Sequence, residues 1–360
     1  MRRTARGMET AMQERQFADS RAGHSRQRAE IGLALWGTEP ALTLASHAAL
    51  AEQIGLESAW IIDSQLLCRE VYVTLAACLA RTTTLRVATG VTQPTTRHVS
   101  VTASAIATLH EMAPGRAMLG LGTGFSSLRT IGKRAARIDE MEAYTRALHD
   151  LLQARTTTFD AGVEAGLSWL TAPTGVPIHL AASGPRMTRR AASIGDGVIL
   201  LQGIAPELLG RALLWLQEGL EAASRQSDAV EVSCWVPFSL DTDRQCAYAR
   251  ARARVAGALV QANPELFEGE ERRTIEDLKQ HYEVGDHARA VAAHAASIPD
   301  SLVRKFAVAG DAAEVREQLS ALRAHSGLDR IILTPQISGE GALPMQDVLR
   351  HLGNDVLPRL

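Results

Sequence analysis

Four short clusters in this 360-residue chain hold residue types that could do chemistry, and each follows a brief apolar run. Asp63-Ser64-Gln65 comes after Ser58–Ile62, so Asp63 is a candidate acid/base or hydrogen-bonding group, and a capping role explains it equally well. Gly90-Val91-Thr92-Gln93-Pro94 follows Leu85–Thr89 and can host either unusual backbone geometry or an ordinary turn. Gly120-Leu121-Gly122-Thr123-Gly124 looks like a dinucleotide loop. It lacks the third glycine and the immediate helix, so its glycines are read instead as a close-approach surface for a flat ligand. Ser183-Gly184-Pro185-Arg186-Met187-Thr188 opens a helix with proline first, which leaves backbone N–H groups free beside a guanidinium and two hydroxyls. That is either an anion site or a capped helix with a surface arginine. Among the histidines, His98 follows Arg97 at a helix start and reads as structural. His47, His110 and His149 read as helix residues, and His179 alternates with apolar neighbours in a strand.

The elements that must position these clusters alternate. Leu85–Gly124 predicts a strand, the helix Val99–Met112 and a second strand at Arg116–Leu121. Val101, Ala105, Leu109 and Met112 are its expected buried helix face, and Pro114-Gly115 is its stop. Near-continuous apolar strands joined by a helix form a right-handed parallel βαβ unit, with the chemistry at the carboxyl ends. Strands are expected at Ile31–Trp36, Ser58–Ile62, Leu85–Thr89, Arg116–Leu121, Pro177–Ala182, Gly197–Leu201, Val232–Leu240 and Ile331–Thr334. Helices are expected between them, with a small hairpin in Arg155–Leu170 and a last helix near Leu343–Leu352. Eight such alternations predict an α/β fold, a (β/α)8 TIM barrel. The roughly ninety residues between the seventh and eighth strands are too many for one crossover, so a helical insertion is placed at about 241–301. The first 28 residues are polar and arginine-rich and read as a disordered or partner-ordered arm, with 29–360 as one barrel domain.

Composition narrows the partners. A formal charge of −2 argues against a nucleic acid or an anionic membrane as partner, and leaves a small molecule or peptide as the expected substrate. Cys68, Cys78, Cys234 and Cys246 form no CxxC pair, so neither zinc nor a disulfide framework is expected, and no metal site is predicted. Buried thiols in a reducing cytoplasm are the default, with Cys68 the one candidate for reactivity. No apolar run approaches 18 residues and no signal-peptide pattern opens the chain, so a cytoplasmic protein is expected.

Taken together, AWIIDSQ, TGVTQPTTRHVSVTASAIATLHEMAPGRAMLGLGTG and IHLAASGPRMTRRAASIGDGVIL resemble the luciferase-like flavin oxidoreductases, and most nearly their methylenetetrahydromethanopterin reductase branch. The likeness runs from about Ile31 to Leu201. It implies a barrel that holds FMN or the deazaflavin coenzyme F420 at the carboxyl ends of its strands. It also implies a non-prolyl cis peptide at Gly90-Val91 beneath the ring. By the same resemblance Thr92 and Gln93 border the ring, and Gly122, Thr123 and Gly124 lie beside the ribityl chain. Ser183, Gly184, Arg186, Met187 and Thr188 hold the phosphate, and a homodimer is expected.

There are departures from the family pattern. Ser64 stands where several deazaflavin users have histidine after the strand-two aspartate, and Phe125 stands where some have an acid. The usual acid/base pair is absent, which argues against sugar-phosphate oxidation. Trp36, Gln65, Cys68 and Phe125 line the substrate side, with Asp63 and Ser64 the weak catalytic candidates. The leading expectation is hydride transfer from reduced F420 to an activated C=C or C=N bond. The alternatives are a two-component monooxygenase using reduced FMN and a non-catalytic flavin-binding protein.

Overall fold

A computed structural model describes residues 28–282, 295–325, 327–335 and 343–360. The expected arm at 1–28 lies almost wholly outside the described residues. The parallel strands are β1 (Glu30–Leu35), β2 (Ser58–Ile61), β3 (Arg86–Thr89), β4 (Ala117–Leu121), β7 (Ile178–Ala182), β8 (Gly197–Leu200), β9 (Glu231–Leu240), β10 (Val308–Gly310) and β11 (Arg330–Pro335). Two further strands, β5 (Thr157–Thr158) and β6 (Glu164–Ala165), form the small antiparallel hairpin. The strand order β10-β9-β11-β1-β2-β3-β4-β7-β8, with β9 also pairing β8, is that of a (β/α)8 barrel to which β10 is added. All eight expected strands are present within a residue or two. They were legible because strands covered on both faces are written as unbroken apolar runs.

Two compact units divide the chain. The first is Leu33–Ala181 with Ile194–Gly197; the second holds Ala182–Ser193 and the described residues of Val198–Leu360. In the first, Ser58 to Ile61 pair in register with Arg86 to Thr89, Val87 pairs with Ala117, and Leu119 pairs with Ile178. Its helices are α1 (Ala41–Gln53), α2 (Val71–Arg81), α3 (Val99–Met112), the single turn α4 (Ser126–Arg129) and α5 (Ile138–Leu152). The second contains α6 (Pro185–Ile194), apart from its last residue, and all of α7 (Pro206–Ala222), α8 (Arg244–Leu259), α9 (Gly269–His281), α10 (Asp300–Phe306), α11 (Ala312–Arg323) and α12 (Met345–His351). The expected insertion is helical in α8 and α9, and its residues 283–294 lie outside the described residues. Neither β10 nor α11 was foreseen: β10 is too short to carry a period, whereas α11 had a legible signal in its Asp311–Glu314 capping box and in Val315, Leu319 and Leu322 at helical spacing.

One expected face is corrected. Val101 and Met112 are 55% and 52% exposed, while α3 buries Thr102, Ala103, Ile106, Ala107 and Leu109. The buried stripe runs Thr102–Ile106–Leu109, so of the expected face Leu109 is buried and Ala105 half-buried, while its two ends are turned to the surface. A threonine had concealed it: Thr102 is buried because its hydroxyl bonds Tyr144 Oη at 2.6 Å.

Glu52, on the last turn of α1, ties that helix to the entry of β3. Its carboxylate accepts the amides of Thr83, Thr84 and Leu85 at 2.6–3.2 Å and both threonine hydroxyls. Burial alone would raise its pKa, but the Thr84, Leu85 and Thr83 amides and the Thr84 hydroxyl outweigh this and bring it down to about 2. A depressed carboxylate stabilises the fold above its unfolded value, near ~4.3, and loses that contribution as pH falls towards 2. Glu52→Gln is therefore expected to cost about 1–2 kcal/mol at pH 7. Urea midpoints should draw towards wild type below about pH 4 and converge only near pH 2 and below, and a gap that persists there would refute the linkage.

Candidate active site

In the first unit the strand exits are joined by one polar network. Asp63, 5% exposed, leaves β2 and takes three donors. Its Oδ2 accepts Thr92 Oγ1 at 2.7 Å and Arg97 Nη1 at 2.5 Å, and its Oδ1 accepts Gln65 Nε2 at 3.0 Å. Arg97 reaches Glu70 with its other nitrogen at 2.8 Å and lies over the Tyr72 ring at 5.2 Å. Burial disfavours the Arg97 charge, but Asp63, Glu70 and Tyr72 together outweigh it and push its pKa up. Asp63 was a candidate acid or base; with both oxygens engaged and a cation against one, it is a charged anchor. Arg97 was passed over in the sequence because its partners lie 27 and 34 positions away.

The Gly90–Val91 peptide is cis. Gly90 N–H donates to Ile61 O at 2.7 Å, and Thr92 bridges to β4 through Gly120 O and Gly122 N at 3.0 and 2.9 Å. Thr92 is fully buried, its hydroxyl committed to Asp63. Gln93 spends its amide locally: Oε1 accepts Thr95 N–H at 2.5 Å and Nε2 donates to Thr96 Oγ1 at 2.5 Å. Its side chain therefore braces the turn.

The glycines after β4 were expected to leave room for a ligand chain. Their missing Cβ atoms also admit the protein's own side chains. A Cβ on Gly122 would lie 2.8 Å from Val91 Cγ2, and one on Gly124 would lie 2.6 Å from Leu128 Cδ1. Gly124 also has φ +87°, which an L side chain adopts only with strain. Thr123 is half-buried beside them. The following residue, Phe125, precedes α4, whose Ser126 hydroxyl sits 3.4 Å from that of Ser64. Trp36 is 2% and Ser64 2% exposed, and Gln65 is half-buried. Burial pushes the Cys68 thiol pKa up, so it is held protonated and is a poor nucleophile. His179 is fully buried, its ring edge-on to Trp60 at 5.6 Å, and His98 caps α3.

In the second unit α6 begins with Pro185, and Arg186 is exposed on its first turn. Thr188 is not free to bind an anion. Its hydroxyl donates to Gly184 O at 3.0 Å and accepts Gln202 Nε2 at 3.1 Å. Met187 is buried, leaving its backbone amide at the helix start. A Cβ placed on Gly184 would meet nothing within 4 Å. Open space over Gly184, first-turn amides and an outward guanidinium fit an anionic group such as a phosphate.

A model of the luciferase-like monooxygenase family matches residues 17–330. The chain belongs to that family. It is 32% identical over 238 residues to 5,10-methylenetetrahydromethanopterin reductase of Methanolobus tindarius, covering 64% of this chain and 71% of that one. It is 35% identical over 234 residues to F420-dependent glucose-6-phosphate dehydrogenase of Nakamurella multipartita, covering 60% and 69%. Among solved structures, the coenzyme F420-dependent tetrahydromethanopterin reductase of Methanopyrus kandleri superposes with a TM-score of 0.77 at 22% identity, over 92% of this chain and 99% of that one. A monooxygenase of Streptomyces bottropensis gives 0.65 at 21% identity, over 91% and 99%. At these identities the structures speak for the fold, and the family membership rests on the sequence match.

Proposed function

We propose that this luciferase-like enzyme is a reductase that transfers hydride from reduced coenzyme F420 to an activated C=C or C=N bond of a small molecule or peptide. The reading is supported by its similarity to F420-dependent reductases and dehydrogenases. The observation that carries the reaction type is the state of the strand ends: Asp63 is bound by three donors, and Ser64 and Phe125 fill the positions next in line. None of these side chains is an acid free to give up a proton, which supports an acceptor that needs no strong general acid. An electron-poor double bond meets that condition, with water completing the protonation.

The hydride is the chemistry that the reduced deazaflavin supplies when bound; the chain holds and orients. Thr92, braced between β4 and Asp63, and Gly90-Val91 are assigned to the ring. Arg186, Ser183, Gly184 and the Met187 amide are assigned to the phosphate. Trp36, Gln65 and Phe125 are assigned to the substrate side. A cytoplasmic homodimer fits this reading. No described helix is long and apolar enough to cross a membrane.

Fluorescence titration of the purified protein with F420 and FMN tests the proposal. Saturable F420 binding, with FMN at least tenfold weaker, is expected; tight FMN binding without F420 binding would overturn it in favour of the monooxygenase reading. Arg186→Ala should weaken the preferred cofactor about ten- to a hundredfold, the range for a charge-assisted hydrogen bond. An unchanged affinity would remove the phosphate from α6.

A further inference from the structure

We infer that Arg97 is a positioning residue of this site, fixing the directions of the Thr92 hydroxyl and the Gln65 amide through the Asp63 carboxylate. The inference rests on the reading of Thr92 and Gln65 as site residues and adds what orients them. Neither side chain has one obvious direction of its own: a threonine hydroxyl rotates and an amide flips. Next to an ionised carboxylate both choices vanish, because such a group only accepts.

Thr92 Oγ1 must therefore point its hydrogen at Asp63 Oδ2, 2.7 Å away, while Arg97 Nη1 at 3.3 Å donates to its lone pair. Gln65 must present its NH2 to Asp63 Oδ1 at 3.0 Å, which turns its Oε1 away from the carboxylate. That Oε1 is buried and has no partner among the described residues. A single proton on Asp63 would undo the arrangement, since a protonated carboxyl can donate back to either neighbour.

Arg97 removes that freedom. It sits 2.5 Å from Asp63 and 2.8 Å from Glu70, so one cation joins the β2 exit to the start of α2 and to its own place ahead of α3. Its backbone carbonyl is held in turn by Tyr144 Oη of α5 at 3.0 Å. The groups that face Asp63 are Arg97, with Glu70 beyond it, Tyr72 from α2, Cys68 from the β2–α2 loop and Tyr144 from α5. Burial pushes both phenols and the thiol up, so all three are neutral near pH 7. Arg97 is thus the one cation in direct contact with Asp63 among the described residues.

Arg97→Met, Arg97→Lys and the double variant Arg97→Met/Asp63→Asn test this in the full chain. Two readouts are followed between pH 5.5 and 8.5: F420 dissociation constant by fluorescence and urea midpoint without cofactor. Wild type should show a flat affinity profile. In Arg97→Met the buried carboxyl has lost its cation, so its protonation favours the folded state: as pH drops, affinity should fall about tenfold while the urea midpoint rises in a matching step. Arg97→Lys should restore most of the flat profile, and the double variant, which has no titrating group there, should lose the step. An Arg97→Met protein whose affinity and midpoint are both flat with pH overturns the inference. So does a step that survives in the double variant. If wild type binds no F420, the proposed function fails by itself, and the cofactor-free urea profile still decides on Arg97. If Arg97→Met does not fold, the inference stands only when Arg97→Lys folds with a flat profile, and falls when Arg97→Lys is as pH-sensitive as a stripped carboxyl.

Discussion

Gly120→Ala is expected to cost about 3 kcal/mol or more of stability and to abolish cofactor binding in whatever protein still folds. The added Cβ would lie 2.1 Å from Thr89 O, 2.9 Å from Val91 Cγ1 and 3.1 Å from Trp60. The first of these is backbone and has little room to move. Thr89 Oγ1 donates to Gly120 O at 2.6 Å and Gly90 N–H is held by Ile61 O at 2.7 Å, so the end of β3 is pinned to β4 on one side and to β2 on the other. Relief requires displacing the Gly90–Thr92 exit. Urea denaturation and fluorescence titration check this, with Gly184→Ala as the control for stability alone, since Gly184 is assigned to the phosphate. A Cβ at Gly184 meets open space, so that variant should keep wild-type stability. A Gly120→Ala protein with an unchanged midpoint and affinity would mean that the strand exits are not locked together as described.

Gly219→Ala is expected to lower stability by about 3 kcal/mol, against the local preference of its helix. In an isolated helix alanine is better than glycine by about 1 kcal/mol, so propensity alone predicts a gain at this position in the last turn of α7. Packing reverses the sign. A Cβ there would lie 2.2 Å from Arg189 O and 2.7 and 2.8 Å from that residue's Cα and carbonyl carbon, all backbone of α6. The two helices touch too closely for any side chain. Because α6 carries Arg186 on its first turn, pushing it away should also weaken cofactor binding. Thermal denaturation decides between the two effects, and a raised Tm would show that α6 and α7 are farther apart than this geometry allows.

Much of the fold was legible because its code is local. The eight strands are runs such as Ala117–Leu121, in which every residue is buried, and the helix over Val99–Met112 was located to the residue from its stop at Pro114 and its 3.6 period. The face that helix buries was misread because one of its inward residues is a threonine with a distant tyrosine partner. The site divides in the same way. Positions at strand ends can be found by counting, so Asp63, Gly90–Gln93, Gly122–Gly124 and Ser183–Thr188 could all be named in advance. Their tasks could not be assigned from the same local information.

Local stretches of sequence were enough for the alternation of strands and helices, the places where strands end, and the proline-led helix start with Arg186 on its first turn. All depend on neighbours within a few positions. That Asp63 is a triply bonded anchor depends on the folded arrangement, since Thr92 and Arg97 reach it from 29 and 34 residues away. The same arrangement decides that Gly120 and Gly122 are glycines because Val91 lies against them, and that Thr188 serves Gln202. Whether a polar group is left over for a ligand is fixed by which protein atoms reach it first. That depends on the register of β3 against β4 and the spacing of α6 and α7, and no single stretch of sequence encodes either.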